Sequence, residues 1–436
     1  MSDYPIKSYT ASAPGRLDVM GGIADYSGSR VLQLPLKEQT HVTVRITGNP
    51  NCKLVSDTPD GKLSVSIDFD QLLVNGLPDY QYARNYFSAR KNQKWTAYIL
   101  GCVLILIQEK KIPFTGADFQ IHSAIPLGKG VSSSAALEIA TLRALALAYN
   151  IDFTGTELAT LAQRVENIIV GAPCGLMDQL TSAFGHPESL LPIICRPDQL
   201  LTPVPVPEGI VFIGIDSGIR HAVGSSSYAD VRSAAFMGYT IIARSLGLTA
   251  SDIAHYRLTG DRALLPFNGY LSGIDNKDFN EKFFSLLPEK MSGADFISVY
   301  GDTIDLHSQI EPETEYLVQV CASHPVEEHA RVNTFLNLLQ SYSAEQDSSI
   351  LTEMGDLMKL SHQSYSACGL GTKRTDEIVT MASKYLEEGV FGAKITGGGS
   401  GGVVCLLTSG DDGREAALDI RARMEKRHKT TLRFFG

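Results

Sequence analysis

A chain of 436 residues exceeds the roughly 100 to 200 residues usual for one domain, which implies two or three domains with room for a large core. Its 44% hydrophobic and 20% charged content, with 39 glycines and 19 prolines spread along it, excludes disorder, collagen and coiled coil as whole-chain descriptions. Against 48 Asp and Glu stand 38 Lys and Arg, a net charge of −10, so no basic surplus exists to neutralise a nucleic-acid backbone and no nucleic-acid partner is expected.

The first residues, Met1-Ser-Asp-Tyr-Pro-Ile-Lys7, lack a basic segment followed by an apolar run, and no apolar stretch reaches the roughly 20 residues a bilayer requires. A cytoplasmic protein without a membrane partner is expected, monomeric unless an oligomer forms by a surface the sequence does not mark. The seven cysteines lie far apart without a Cys-x-x-Cys pair, which fits reduced thiols rather than a disulfide frame or zinc site.

Strand and helix patterns alternate from end to end, as in an α/β or α+β enzyme. Residues 40–47 and 117–125 alternate with period two and predict half-buried strands. Stretches 94–108, 134–149 and 156–170 carry apolar residues at helical spacing, the last opening on Thr154-Gly-Thr-Glu157, which has the form of a capping box. Residues 250–310 are less periodic and predict an insertion of short elements. A domain boundary is placed near 215.

Two glycine-rich segments carry the most chemistry. Pro126-Leu-Gly-Lys-Gly-Val-Ser-Ser-Ser-Ala-Ala-Leu-Glu138 follows the predicted strand and opens the predicted helix. Glycines let a backbone approach an anion, serines add hydroxyl donors, and a helix start presents unpaired N–H groups, so the segment fits a phosphate cradle. The order Gly-x-x-x-x-Gly-Lys-Ser/Thr is absent, which excludes the common P-loop; a Ser-capped helix after a glycine turn is the alternative. Five of the six residues 397–402 are Gly, ahead of an apolar run at 403–407. A tight hairpin needs only one or two, so close approach of backbone to a ligand or another loop is the expected reason.

Near the start, Arg16 and Asp25 lie on a glycine-bearing segment, compatible with substrate capture or with a merely solvated loop. Glu166 and Asp178 flank a Gly/Pro turn twelve positions apart. One of the two could hold Mg²⁺ while the other meets a nucleophile.

Taken in order, Ala13-Pro-Gly-Arg16, the 126–135 loop, Val165-Glu-Asn-Ile-Ile-Val-Gly-Ala-Pro-Cys-Gly-Leu-Met-Asp-Gln179 and the 397–402 cluster resemble the GHMP small-molecule kinases, specifically the galactokinase branch. Ser217-Gly-Ile-Arg-His221, Ser225-Ser-Ser-Tyr228 and His324-Pro-Val-Glu-Glu-His-Ala-Arg331 extend the likeness. The resemblance implies a two-domain α+β fold, with a ribosomal-protein-like N-terminal domain (1–215), a ferredoxin-like C-terminal domain (216–436, with the 250–310 insertion) and the site between them. It implies transfer of the ATP γ-phosphoryl group to a sugar hydroxyl. Gly128, Gly130, Ser132, Ser133 and Ser134 would cradle the nucleotide phosphates. Trp95 would lie beside the base, unless it is plain core. Ser134 and Glu166 would hold Mg²⁺, Asp178 would face the anomeric hydroxyl, and Arg16 would neutralise charge. Asp25, Gly175 and Tyr228 would contact the sugar.

One departure is informative. Galactokinases read Gly-Glu-His-Thr-Asp-Tyr after this start, with Glu and His meeting the galactose 6-hydroxyl, whereas this chain reads Gly21-Gly-Ile-Ala-Asp-Tyr26. Gly22 and Ile23 in place of two polar side chains fit L-arabinopyranose, which is galactopyranose without its CH₂OH arm. Wording at 13–28, 364–371 and 393–402 is similar to the kinase domain of L-arabinokinases, implying an L-arabinose 1-kinase. A galactokinase or related sugar 1-kinase is the runner-up, and a non-catalytic sugar and nucleotide sensor the third reading, disfavoured because Arg16, Ser134, Glu166 and Asp178 are all kept.

Overall fold

The structure, a computed structural model, describes residues 7–196, 198–219 and 226–436. Two compact units interleave along the chain. The first takes the chain up to Arg16, Pro35–Leu127 and Val131–Pro187, and the second takes Leu17–Leu34, Gly128–Gly130 and Glu188–Gly436. The chain therefore passes between them after Arg16, Leu34, Leu127, Gly130 and Pro187, whereas the sequence reading places one boundary near 215.

In the first unit, Thr40–Ile46 pairs antiparallel with Ala117–Ser123, Leu54–Asp57 runs parallel to Phe119–His122, and Asn51–Thr58 turns back onto Gly61–Asp68. The alternation expected at 40–47 belongs to a longer strand, Arg30–Ile46. Helix Ala97–Lys110 is apolar on every face and buried from Ala97 to Leu106 except at Tyr98, as a central core helix must be. It is preceded by a 3₁₀ turn, Lys91–Thr96, so the α-helix begins three residues later than the pattern suggested. Gly101 lets it approach its neighbour: a Cβ there would stand 2.7 Å from Cγ1 of Val165. The expected helix at 156–170 forms as Glu157–Arg164 and widens into a π turn, Val165–Val170. Of the expected capping box only the carboxylate half is made, Thr154 N–H donating to Glu157 Oε2 at 3.2 Å; Thr156 is the N-cap and gives no side-chain bond.

The second unit holds an antiparallel sheet in the order Val390–Ile395, Val403–Ser409, Ile210–Asp216, Phe434–Phe435. Arg30–Gln33 separately pairs with Leu191–Ile194. Helices Val318–Glu345 and Ser348–Ala367 lie beside the sheet, and Gly355 of the second helix touches its strand so closely that a Cβ would sit 1.9 Å from the Phe391 carbonyl oxygen. Residues 250–310 form short elements, with Ala250–Thr259 and Gly293–Tyr300 the longest and 3₁₀ and π turns between them. All seven cysteines are free. Among the described residues no helix is long and apolar enough to cross a membrane.

Candidate active-site residues

The serine-rich loop combines left-handed backbone with a hydroxyl that its own helix does not use. Gly128 and Gly130 adopt positive φ (65° and 70°), as does Ser132 (58°) immediately before helix Ser133–Tyr149. The Ser132 hydroxyl does not cap that helix, which removes the capped-helix alternative, and its Oγ is buried with no hydrogen-bond partner. A buried hydroxyl left unpaired costs about 1 to 3 kcal/mol, which an arriving phosphate oxygen would recover. Ser133 and Ser134 follow in the first turn, half-buried, where helix N–H groups lack intrahelical acceptors. Trp95 is half-buried and its indole Nε1 is also buried without a partner. Indole N–H groups usually find one when buried, so this donor is unsatisfied.

Beside that loop within the first unit, Arg16 and Asp178 meet across 162 positions of sequence. Nε and Nη2 of Arg16 both donate to Oδ1 of Asp178, at 2.9 and 2.7 Å. The guanidinium is buried, with 3% of the side chain exposed, whereas the aspartate keeps 24%. Arg16 is anchored to the loop because its N–H donates to the Val131 carbonyl at 3.1 Å. Gly15 makes this approach possible, since a Cβ there would stand 2.7 Å from the same oxygen. Gly175, half-buried, lies just ahead of helix Met177–Phe184, which carries Asp178 in its first turn.

Glu166 comes from the π turn and is 8% exposed. Gln179 Nε2 donates to Oε2 of Glu166 at 2.8 Å and to Oε2 of the fully buried Glu138 at 3.3 Å, and the Ser134 hydroxyl also bonds the Glu166 carboxylate. Burial, then the charge of Asp178, push Glu166 up to about 7, and burial with the charge of Glu166 holds Glu138 well above the usual carboxylate range. Crowded carboxylates of this kind fit a divalent cation, which would relieve their repulsion. No cluster of three or more ligating His, Cys, Asp or Glu exists among the described residues. A cation at Ser134 and Glu166 would thus draw its other ligands from phosphate and water, as Mg²⁺ commonly does.

In the second unit, Gly21 to Tyr26 form a buried turn. Gly21 has φ 100°, and Ile23 has φ 53° while 1% exposed, an unusual conformation for a β-branched residue. Gly22 is glycine for a steric reason: a Cβ would lie 1.8 Å from the Tyr365 hydroxyl and 2.4 Å from Oδ2 of Asp18. Both groups are fixed. Tyr365 donates to the Gly397 carbonyl at 3.0 Å, while Asp18 accepts from Lys394 at 2.7 Å and from Gln33 at 2.7 Å, a fully buried ion pair. His324 Nε2 lies 3.1 Å from the Gly22 carbonyl and its Nδ1 2.7 Å from Ser364 Oγ. Ile23 joins the same buried apolar cluster as Tyr26 and Tyr365. Asp25, 4% exposed, is gathered with Tyr228 through Tyr26, whose ring meets Tyr228 edge-on at 6.1 Å, and the buried Arg232 pairs with Asp305 at 2.7 Å while also feeling the charge of Asp25. Arg220, His221 and Ser225 lie outside the described residues.

The second glycine cluster is explained by close approach to other loops. A Cβ on Gly402 would stand 2.6 Å from the Lys129 carbonyl, on Gly401 2.7 Å from Ile219 Cγ2, and on Gly399 2.6 Å from Leu370 Cβ. Lys129 itself is buried and pairs with Asp216 at 3.0 Å.

The model of the GHMP kinases N terminal domain matches residues 97–186, and that of the GHMP kinases C terminal domain matches 348–426. The chain belongs to the GHMP kinases. It is 38% identical over 448 residues to an L-arabinokinase of Arabidopsis thaliana, covering 92% of this chain and 42% of that protein. It is 28% identical to a galactokinase of Chloroflexus aurantiacus, over 92% and 84% of the two chains. The chain thus spans well under half of the length of the Arabidopsis relative. Among solved structures, galactokinase of Lactococcus lactis complexed with galactose superposes with a TM-score of 0.72 at 20% identity, covering 98% and 92% of the chains. A mevalonate kinase gives 0.56 at 16% identity, over 98% and 97%. These establish the two-domain α+β GHMP kinase fold.

Sequence reasoning overlooked Glu138, Gln179, Asp18, Lys394 and Tyr365. Glu138 and Gln179 close two of the recognised motifs, and acidic or amide residues inside otherwise apolar segments were the available signal. Asp18 and Lys394 are separated by 376 positions, and nothing local pairs them.

Proposed function

We propose that this GHMP kinase is an ATP-dependent sugar 1-kinase that transfers the γ-phosphoryl group to the anomeric hydroxyl of L-arabinose, giving β-L-arabinose 1-phosphate and ADP. Gly128, Gly130 and Ser132 to Ser134 would receive the nucleotide phosphates and Trp95 the base. Asp178 would orient the anomeric oxygen. Arg16, locked on that carboxylate, would hold it in place and offset negative charge as the oxygen–phosphorus bond forms and the bond to ADP breaks. Ser134 and Glu166 would hold Mg²⁺, which supplies charge neutralisation at the phosphates when bound. Asp25 and Tyr228 would bind ring hydroxyls, with Gly175 lining the sugar.

The observation that carries the pentose is the filled space beside Gly22. Where galactokinases place a glutamate for the 6-hydroxyl, the Tyr365 hydroxyl occupies the volume a side chain would need, 1.8 Å from its Cβ position, and the next residue is the apolar Ile23. A 6-hydroxyl brought there would lose its hydrogen bonds, about 1 to 3 kcal/mol, or one to two powers of ten in kcat/KM. The name of the Arabidopsis relative agrees.

The test is an ATP-dependent kinase assay across L-arabinose, D-galactose, N-acetylgalactosamine, D-glucuronate and mevalonate, with the phosphorylated position assigned by NMR. L-Arabinose is expected to give the highest kcat/KM, with phosphate on C1. Equal or better kcat/KM for D-galactose would make the protein a galactokinase, and binding without turnover of any sugar would make it a sensor.

A further inference from the structure

We propose that Arg30, Arg196 and His329 of the second unit form an oxyanion site for a phosphoryl dianion, separate from the serine-rich loop. The His329 ring bridges Arg30 and Arg196. Its Nδ1 accepts the backbone N–H of Arg30 at 3.0 Å, and its Nε2 faces Nη2 of Arg196 at 3.3 Å. Both neighbours are donors. A neutral imidazole has one acceptor nitrogen, so in either tautomer one donor faces another donor. Burial and the Arg196 and Arg30 guanidiniums push the ring down to about 4, so it is neutral at pH 7 and the conflict persists there.

Arg30 adds a third unmatched donor, because its Nε is buried with no hydrogen-bond partner. Arg196 is held in place from the other side, Nη1 donating to the Ser272 carbonyl, while the Ser272 hydroxyl donates to Ser27 O at 2.6 Å. Among the described residues no ion pair joins either guanidinium to a carboxylate. The groups acting on Arg196 are Arg30 and the Tyr270 phenol, and those acting on His329 are the two arginines. Burial raises Asp198, two residues from Arg196, and the cation acting on it is Arg262, while Glu328, next to His329, pairs with Arg331. Like charges held together with unfilled donors are unfavourable unless an anion completes them.

Two positive charges and donors from three side chains match the charge and several oxygens of a phosphate dianion better than a monovalent carboxylate. Arg30, Arg196 and His329 are all half-buried, which leaves the cluster reachable from solvent. The occupant is inorganic phosphate or a phosphate monoester. None of these residues belongs to the proposed kinase machinery, so the inference does not rest on the sugar reading.

Histidine-labelled full-length protein, with the His329 ring signals identified by their loss in His329→Gln, is titrated with inorganic phosphate, ribose 5-phosphate and acetate. A saturable His329 shift with inorganic phosphate is expected, weakened at least tenfold in Arg196→Gln and in Arg30→Gln, since each removes one charge-assisted hydrogen bond. Tighter binding of ribose 5-phosphate would identify monoesters as the occupant, and no saturation is expected with acetate. The wild-type titration stands by itself if an arginine variant fails to fold. A His329 signal that phosphate does not move, that acetate moves equally, or that keeps its phosphate affinity in folded Arg196→Gln and Arg30→Gln would overturn the site.

Discussion

Replacing Gly22 by alanine puts the packing argument to its sharpest test. The added Cβ would lie 1.8 Å from Tyr365 Oη, so reaching ordinary contact at 3.4 Å requires the hydroxyl to retreat by about 1.6 Å, the difference between the two. Tyr365 is fully buried, and such a retreat breaks its 3.0 Å bond to the Gly397 carbonyl. Overpacking costs about 1 to 3 kcal/mol and the lost bond about 0.5 to 1.5, giving a destabilisation of about 2 to 4 kcal/mol. Gly22 itself does not have positive φ, so backbone strain does not contribute. Tyr365→Phe removes the obstructing oxygen, and in that background Gly22→Ala should cost less by about 1 to 2 kcal/mol. It would still cost something, because Asp18 Oδ2 at 2.4 Å remains in the way. Urea unfolding of the four proteins, compared by midpoint at constant slope, reads the coupling directly. Strictly additive effects, or a Gly22→Ala protein as stable as the parent, would show that Tyr365 does not fill the space beside Gly22. The argument for the missing sugar arm would go with it.

Asp178→Asn should lower kcat by about 100-fold or more while L-arabinose binding by calorimetry changes little; unaltered turnover would remove Asp178 from the chemistry. Arg16→Lys gives up one of two hydrogen bonds to Asp178 and should lose about tenfold in kcat/KM, again measured at saturating ATP. Ser132→Ala should leave the unliganded protein as stable or up to about 1 kcal/mol more stable in thermal unfolding, because it deletes an unpaired buried hydroxyl, yet raise the KM for ATP several-fold. Glu166 has its folded-state pKa raised from 4.5 to about 7, so the folded state holds the extra proton between these values and its contribution to stability is lost as pH rises from about 4.5 through 7. The shift amounts to about 3 kcal/mol, and stability against pH should flatten across that window in Glu166→Gln, with Mg²⁺ affinity of the parent increasing toward pH 7 and above.

Local chemistry is what the sequence carried on its face. Gly128, Gly130 and the serines at 132–134 pointed to an anion cradle, with a Ser-capped helix after a glycine turn as the alternative. The apolar period at 94–108 and 134–149 revealed core helices. The family and its fold followed from the resemblance that four short motifs carry in order. The departure at Gly22 and Ile23 was equally plain, since a missing polar side chain is visible without coordinates.

Tertiary structure alone decided why Gly22 must be glycine, because the atoms that forbid a side chain belong to Tyr365 and Asp18, and the former lies 343 positions further along the chain, the difference between 365 and 22. It likewise decided that Glu166 and Glu138 share one amide donor and that burial raises both carboxylates, with the charge of Asp178 adding to the first and that of Glu166 to the second. The interleaving of the two compact units was invisible for a related reason: hydrophobic period reports which face of an element is buried, never which other element buries it. A sequence lists neighbours along the backbone, whereas desolvation, charge coupling and steric exclusion depend on neighbours in space, and only folding makes those the same residues.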